Sequence, residues 1–147
     1  MAIKILKSLI RLFEGLRLRA YPCPAGVWTA MYGATGPDIK PGMMFSVGQA
    51  EVRLGRDAGI AMRATMKLCP GLAGPQLAAI ADFTYNLGAT RLAGSTLRRR
   101  VNAGDIHGAY LELQKWVFGG GRKLPGLIRR RQAEGNLLIG AVNVETA

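Results

Sequence analysis

Apolar residues at the start of the chain recur at helical spacing. In IKILKSLIRLFEG, Ile5, Leu6, Leu9, Ile10 and Phe13 share one face, while Lys4, Lys7, Ser8 and Arg11 share the other. This predicts an amphipathic helix that ends near Glu14, with Gly15 as its stop. Across residues 18–39 the helical period vanishes, and Tyr, Val, Trp and Thr are interleaved with Pro22, Pro24, Gly26, Gly33, Gly36 and Pro37. Short strands and tight turns follow from that chemistry, as a small β lobe of hairpin type.

Beyond residue 45 the pattern becomes helical again. FSVGQAEVRLGRDAGIAMRATMKLC predicts a long helix opening at Ser46, with Gln49 completing a capping box, although Gly48, Gly55 and Gly59 weaken it. PQLAAIADFTYNLG reads as a buried helix with Pro75 at its start and Gly88 at its end. GSTLRRRVNAG gives a short capped helix, DIHGAYLELQKWV a longer one capped by Asp105, and LPGLIRRRQAEGNLLIG the last. The expected class is α+β: a mainly helical fold with a small N-terminal β lobe, about residues 15–44, a connecting helix, 45–69, and a helical C-terminal lobe, 70–140, all in one domain. At 147 residues the chain is long enough for a real core and short for two independent domains.

Charge and cysteine usage narrow the chemistry. A net charge of +11 favours polyanionic partners such as an acidic wall polymer, anionic lipid or nucleic acid. No nucleic-acid motif accompanies it, so the expectation is no nucleic-acid partner. Two cysteines, Cys23 and Cys69, do not make a disulfide framework, and with the single His107 they do not suggest a metal site. The first residues are basic and apolar, but Lys7 and Arg11 interrupt them, so they read neither as a secretory signal nor as a membrane span. The expected starting place is the cytoplasm.

Glu14 is the only acid in the first 37 residues. A carboxyl group at a helix end, against an apolar hairpin, can be desolvated enough to act as a general acid toward a glycosidic oxygen. The bland alternative is a carboxylate held by an arginine. Cys23 and Thr29 follow on the hairpin, where a fold-back can bring them opposite Glu14, giving the spacing Glu-x8-Cys-x5-Thr.

This pattern resembles that of the phage-type lysozymes, or endolysins, whose hallmark is Glu-x8-Asp-or-Cys-x5-Thr. The likeness runs through Glu14, Gly15, Leu18, Ala20, Tyr21, Gly26, Val27, Thr29, Tyr32, Gly33 and Thr35, and the later blocks FTYNLG, STLRRRVNAGD and LQKWVFGGGRKLPGLIRRRQAE continue it. The resemblance implies a muramidase that cuts the β-1,4 bond between N-acetylmuramic acid and N-acetylglucosamine without a cofactor. It also implies a monomer acting on peptidoglycan glycan strands, held in the host cytoplasm until a holin lets it reach the wall in the periplasm. Contact with an anionic membrane surface is a further expectation. Two positions depart from the family: Met31 and Ala34 stand where Gly-Tyr-Gly-His is usual, at its glycine and its histidine.

By resemblance Glu14 is the general acid, with Cys23 and Thr29 as its catalytic partners. An ordinary thiol titrates at about 8.5, so Cys23 needs a lowering influence to act as a thiolate, for which Arg17 and Arg19 are the candidates. It can then be nucleophile or electrostatic stabiliser. As a thiol it leaves water to Thr29, and as plain filler it does neither. Thr35, Tyr85, Asn86, Thr96, Tyr110 and Trp116 are the candidate substrate-binding residues, with Trp116 leaning toward a core role. The trios Arg98-Arg99-Arg100 and Arg129-Arg130-Arg131 either steer the chain to anionic surfaces or form solvated helix faces with one arginine of each packed on the core. A cationic binding protein and an inactive lysozyme-like relic are the rival readings.

Overall fold

In the computed structural model, which describes residues 1–141, helix α1 runs Ala2–Glu14 and stops at Gly15, whose amide donates to the Arg11 carbonyl. Its inward stripe of Leu6, Leu9 and Ile10 is buried, as the apolar spacing predicts. Leu6 and Ile10 are fully enclosed, which stabilises the fold by about 2 kcal/mol each.

Three short strands follow, β1 (Arg17–Pro22), β2 (Trp28–Met31) and β3 (Ala34–Thr35), in one antiparallel sheet of order β1-β2-β3. Tyr21 faces Thr29 across the first pair, and Thr29 faces Thr35 across the second. Helix α2 (Val47–Leu68) opens with both halves of the Ser46–Gln49 capping box formed. Helix α3 (Gly74–Leu87) has Pro75 in its first turn and ends at Gly88.

Helix α3 is the axis of the fold. Residues 77–84 are buried on every side, because α1, α2 and α7 (Pro125–Ile139) all pack on it. One core cluster joins α1, the sheet, α2 and α3; a second joins α3 to α5 (Thr96–Asn102), α6 (Ile106–Leu113) and α7. Cys69 lies in the second cluster, fully buried, and both it and Cys23 are free thiols.

Two elements were not separated by the sequence pattern. Helix α4 (Ala89–Ala93) is a single five-residue turn after Gly88. Helix α6 ends at Leu113 rather than running to Val117, and the chain enters a hairpin of β4 (Phe118–Gly119) and β5 (Arg122–Lys123). Gly120 and Gly121 both have positive φ, 58° and 78°, which a tight two-residue hairpin turn requires.

The first arginine trio fits the reading with one arginine packed inward, whereas the second buries two. Arg130 and Arg131 are both buried while Arg129 is exposed, and in the first trio Arg98 is half-buried with its Nε donating to the Leu68 carbonyl.

Candidate active site

Glu14 is the last residue of α1, so its side chain leaves the helix where the chain turns into the sheet. The arginines near it in sequence face elsewhere. Arg11 pairs with Glu51 at 2.6 Å, and Arg17 lies over the Tyr21 ring at 4.7 Å. The arginine that holds Glu14 is Arg130, whose Nη1 donates to Glu14 Oε1 at 2.7 Å.

Arg130 is itself fixed by a fork. Its Nε and Nη2 donate to the two oxygens of Asp82 at 2.8 and 2.9 Å, and its guanidinium lies 5.7 Å from the Phe13 ring centre. Burial works against its charge, but the hydrogen bond and charge of Asp82, then the charge of Glu14, outweigh burial and hold it above the ordinary arginine value. The result is an anchor with no slack: α7 supplies the guanidinium, α3 the orienting carboxylate and α1 the carboxyl group that is positioned.

The other oxygen of Glu14 faces the sheet. A Cβ placed on Gly33 would lie 2.5 Å from Glu14 Oε2, so the backbone at this point approaches the carboxyl group more closely than any side chain allows. Gly33 also has φ of 74°, so its glycine is required twice over. Tyr85 ties the same turn down from α3: its hydroxyl donates to the Tyr32 carbonyl at 2.6 Å. Burial first, then the charges of Glu14 and Asp57, hold the Tyr85 phenol above its ordinary value.

Two grooves flank this point. Gly33, Ala34, Thr35, Arg53, Asp57 and Tyr85 help to line one of 380 Å³. Phe13, Glu14, Asn86, Leu127, Arg129 and Arg130 help to line the other, of 700 Å³. Gly33 borders the first and Glu14 the second, so the two residues that meet here lie one on each groove. Thr35 is exposed and its carbonyl accepts from Arg53 Nη2 at 2.6 Å, while the Asn86 side-chain oxygen accepts from Arg131 Nη2 at 2.7 Å.

Cys23 stands half-buried at the turn between β1 and β2, with its own amide donating to the Val27 carbonyl at 2.9 Å. The thiol is held below its ordinary value by the backbone amide of Val27, then that of Ala25, against a smaller effect of burial, with the Thr29 hydroxyl adding to the lowering. The lowering influence is therefore the turn itself rather than Arg17 or Arg19. Thr29 is buried, and its hydroxyl also lies 3.0 Å from the Val27 carbonyl. One hydroxyl proton serves one acceptor at a time, and in the structure it goes to the Val27 carbonyl.

Neither groove is lined by Thr96, Tyr110 or Trp116. The Thr96 hydroxyl accepts from Arg99 at 2.7 Å, Tyr110 packs its ring on Gly135 of α7, and Trp116 meets Phe83 edge to face at 5.3 Å. Among the described residues, no group of three or more His, Cys, Asp or Glu side chains is arranged to hold a metal ion, and no helix is long and apolar enough to cross a membrane.

The sequence reading missed Arg130 and Asp82 as site residues. Asp82 did carry a signal, being the only acid between Asp57 and Asp105 and sitting inside an otherwise apolar helix. A lone carboxylate in such a run needs a buried cation, and the fork supplies it.

The phage lysozyme family pattern matches residues 11–134, which includes both ends of the Glu14–Arg130 pair. The chain belongs to the phage lysozyme family. It is 41% identical over 131 residues to an endolysin of Acyrthosiphon pisum secondary endosymbiont phage 1, covering 86% of this chain and 89% of that one. Among solved structures, the endolysin from Escherichia coli O157:H7 phage FAHEc1 is 33% identical with a TM-score of 0.82, over 95% of this chain and 93% of that one. The muramidase domain of SpmX from Asticaccaulis excentricus is 31% identical with a TM-score of 0.83, over 91% and 94%.

The two departures from the family's usual residues sit in the core of the β lobe. Ala34 is buried opposite Ala30. Met31 is buried with φ of 59°, the only positive φ at a non-glycine among the described residues. A glycine adopts that backbone without strain, whereas a methionine stores about 1–2 kcal/mol in it.

Proposed function

We propose that this chain is a peptidoglycan muramidase, hydrolysing the β-1,4 bond between N-acetylmuramic acid and N-acetylglucosamine, with Glu14 as the general acid. One observation carries the reading. Arg130 fixes one oxygen of Glu14, while Oε2 lies against Gly33 with no hydrogen-bond partner among the described residues, where a residue of one groove touches a residue of the other. A carboxyl group with one oxygen anchored and one open can carry a proton on the open oxygen and deliver it to a leaving glycosidic oxygen.

Cys23, its thiolate favoured by the turn's amides, lends negative charge to the oxocarbenium-like transition state, and Thr29 stabilises that thiolate. A glycan strand lies along both grooves, with Thr35 and Tyr85 bordering one and Asn86 the other. Tyr85 and Asn86 act mainly through the bonds that place Gly33 and Arg131, so they shape the grooves as much as they touch sugar. Tyr110, Trp116 and Thr96 support the helical lobe beneath.

The same proposal has the enzyme act on the cell wall as a monomer, kept in the host cytoplasm until a holin opens the membrane. The net charge of +11 gives long-range attraction to anionic walls and membrane surfaces that weakens with salt. The deciding experiment compares wild type with Glu14→Gln on isolated peptidoglycan. New muramic-acid reducing ends from wild type and none from the variant are expected; equal release by both removes Glu14 from the chemistry.

A further inference from the structure

Glu14 ends α1 and Gly33 sits in the turn between β2 and β3, so the contact between them depends on how α1 and the sheet are held relative to each other. One carboxylate reaches both. Glu51, early in α2, accepts from Arg11 as a fork, Nη2 donating to Oε2 at 2.6 Å and Nε to Oε1 at 3.2 Å. Arg11 lies in the last turn of α1, and its carbonyl takes the Gly15 amide that closes the helix. Glu51 Oε1 also accepts from the Tyr32 hydroxyl at 3.2 Å. Glu51 is therefore bonded to the helical turn that carries the acid and to the residue before the glycine that faces it.

Tyr32 is gripped at both ends. Its ring is buried in the cluster that joins α1, the sheet, α2 and α3, its hydroxyl goes to Glu51, and its carbonyl accepts from Tyr85 at 2.6 Å. The Tyr85 bond fixes one point of the residue, and the Glu51 bond at the far end of the ring fixes its direction. The Arg11 hydrogen bond, against a smaller opposing effect of burial and with help from the Tyr32 hydroxyl, holds Glu51 below the usual carboxylate range, so the fork is an ion pair at neutral pH. The Arg11 and Glu51 side chains are both about two-fifths exposed, and a pair that open adds little to stability.

We propose that Glu51 is a positioning residue for the hydrolysis: by holding Arg11 and Tyr32 together it sets the approach of Gly33 to Glu14, and so the place of the acid's open oxygen. This rests on Glu14 being the general acid. Arg130 fixes Oε1 from the helical lobe, while Glu51 fixes the backbone that lies against Oε2. The acid is aimed by two sets of bonds, Asp82–Arg130 and Arg11–Glu51–Tyr32, that share no residue.

Tyr32→Phe removes the hydroxyl and keeps the ring. Glu51→Ala removes the carboxylate, whereas Glu51→Gln keeps an oxygen for Tyr32 and Arg11 Nε, which both bond Oε1. On soluble peptidoglycan fragments, Glu51→Ala is expected to lower kcat severalfold with KM unchanged, and Glu51→Gln to keep most of the wild-type rate. Tyr32→Phe lowers kcat in wild type but adds little to Glu51→Ala, because the two changes break one link. A purely structural role lowers the melting temperature and leaves kcat, measured well below it, at the wild-type value; that result, or losses that multiply in the double variant, overturns the proposal. The Gly33 amide resonance gives a reading without hydrolysis. It shifts in Glu51→Ala, a tyrosine's length away, together with the Glu14 carboxyl carbon, and two unmoved resonances refute the positioning. Should Glu51→Ala not fold, an unmoved Glu14 carboxyl carbon in Tyr32→Phe refutes it equally. A wild type that releases no reducing ends defeats the muramidase assignment separately.

Discussion

The Tyr85 hydroxyl reaches from α3 to the Tyr32 carbonyl at 2.6 Å, and the next residue, Gly33, is the one that touches Glu14. A phenol in the helical lobe therefore sets how near the sheet comes to the acid. Tyr85→Phe removes the donor and leaves a carbonyl unpaired, at a cost of about 1–3 kcal/mol. Urea denaturation measures that loss. A drop in kcat larger than any change in KM is expected beside it, since the turn is freed to drift from Glu14; unchanged stability together with unchanged kcat would refute the role.

Gly33→Ala tests the contact from the other side. The added methyl group overlaps Glu14 Oε2, and the backbone is left-handed. The carboxyl group must move, and displacement of a catalytic group by an ångström lowers rate by roughly a hundredfold. Turbidity loss of isolated walls reads the rate, and a variant as fast as wild type would show that the approach has no catalytic meaning.

Met31 sets two effects against each other. Truncating it to alanine loses buried packing but keeps the strained backbone, whereas Met31→Gly loses slightly more packing and releases the strain of about 1–2 kcal/mol. The expected order of stability is wild type first, then glycine, then alanine, the reverse of the last two in an ordinary strand. Denaturant midpoints decide it, and an alanine variant more stable than the glycine one would mean that Met31 is unstrained.

Cys23 and Cys69 should part company with pH. Turn amides lower the Cys23 thiol and burial raises that of Cys69. A group held low is ionised earlier as pH rises, so alkylation of Cys23 reaches its plateau below the ordinary thiol range, while Cys69 stays unmodified in the folded protein. Thr29→Val removes one of the smaller lowering influences and moves the Cys23 inflection up, but leaves it below the ordinary value because the Val27 and Ala25 amides remain. A Cys23 inflection at or above the ordinary value would leave no basis for a thiolate in the site.

Local chemistry explains what could be read from the chain in advance. The Ser46–Gln49 box, Pro75, the Ser95 cap and the Asp105 cap each act within a few residues of themselves, and all formed where their sequences put them. The apolar stripe of α1 likewise placed Glu14 at a helix end. What lay beyond reach was set by tertiary contact. Glu14 and Arg130 are 116 residues apart, and nothing in an RRR triplet says which guanidinium turns inward. The influence on Cys23 was sought in charged side chains, whereas backbone amides exert it, and these follow from turn geometry rather than residue type. Helix α4 and the β4–β5 hairpin are too short to leave a periodic trace.

The Arg130 fork also has a bearing on the order of synthesis. Residue 14 leaves the ribosome 116 residues ahead of Arg130, the side chain that orients it, which arrives with α7. A nascent chain halted anywhere before α7 carries the acid and the β sheet without their anchor, and a proteolytic fragment lacking that helix is in the same state. Lytic capability is thereby withheld from any product that stops short of α7.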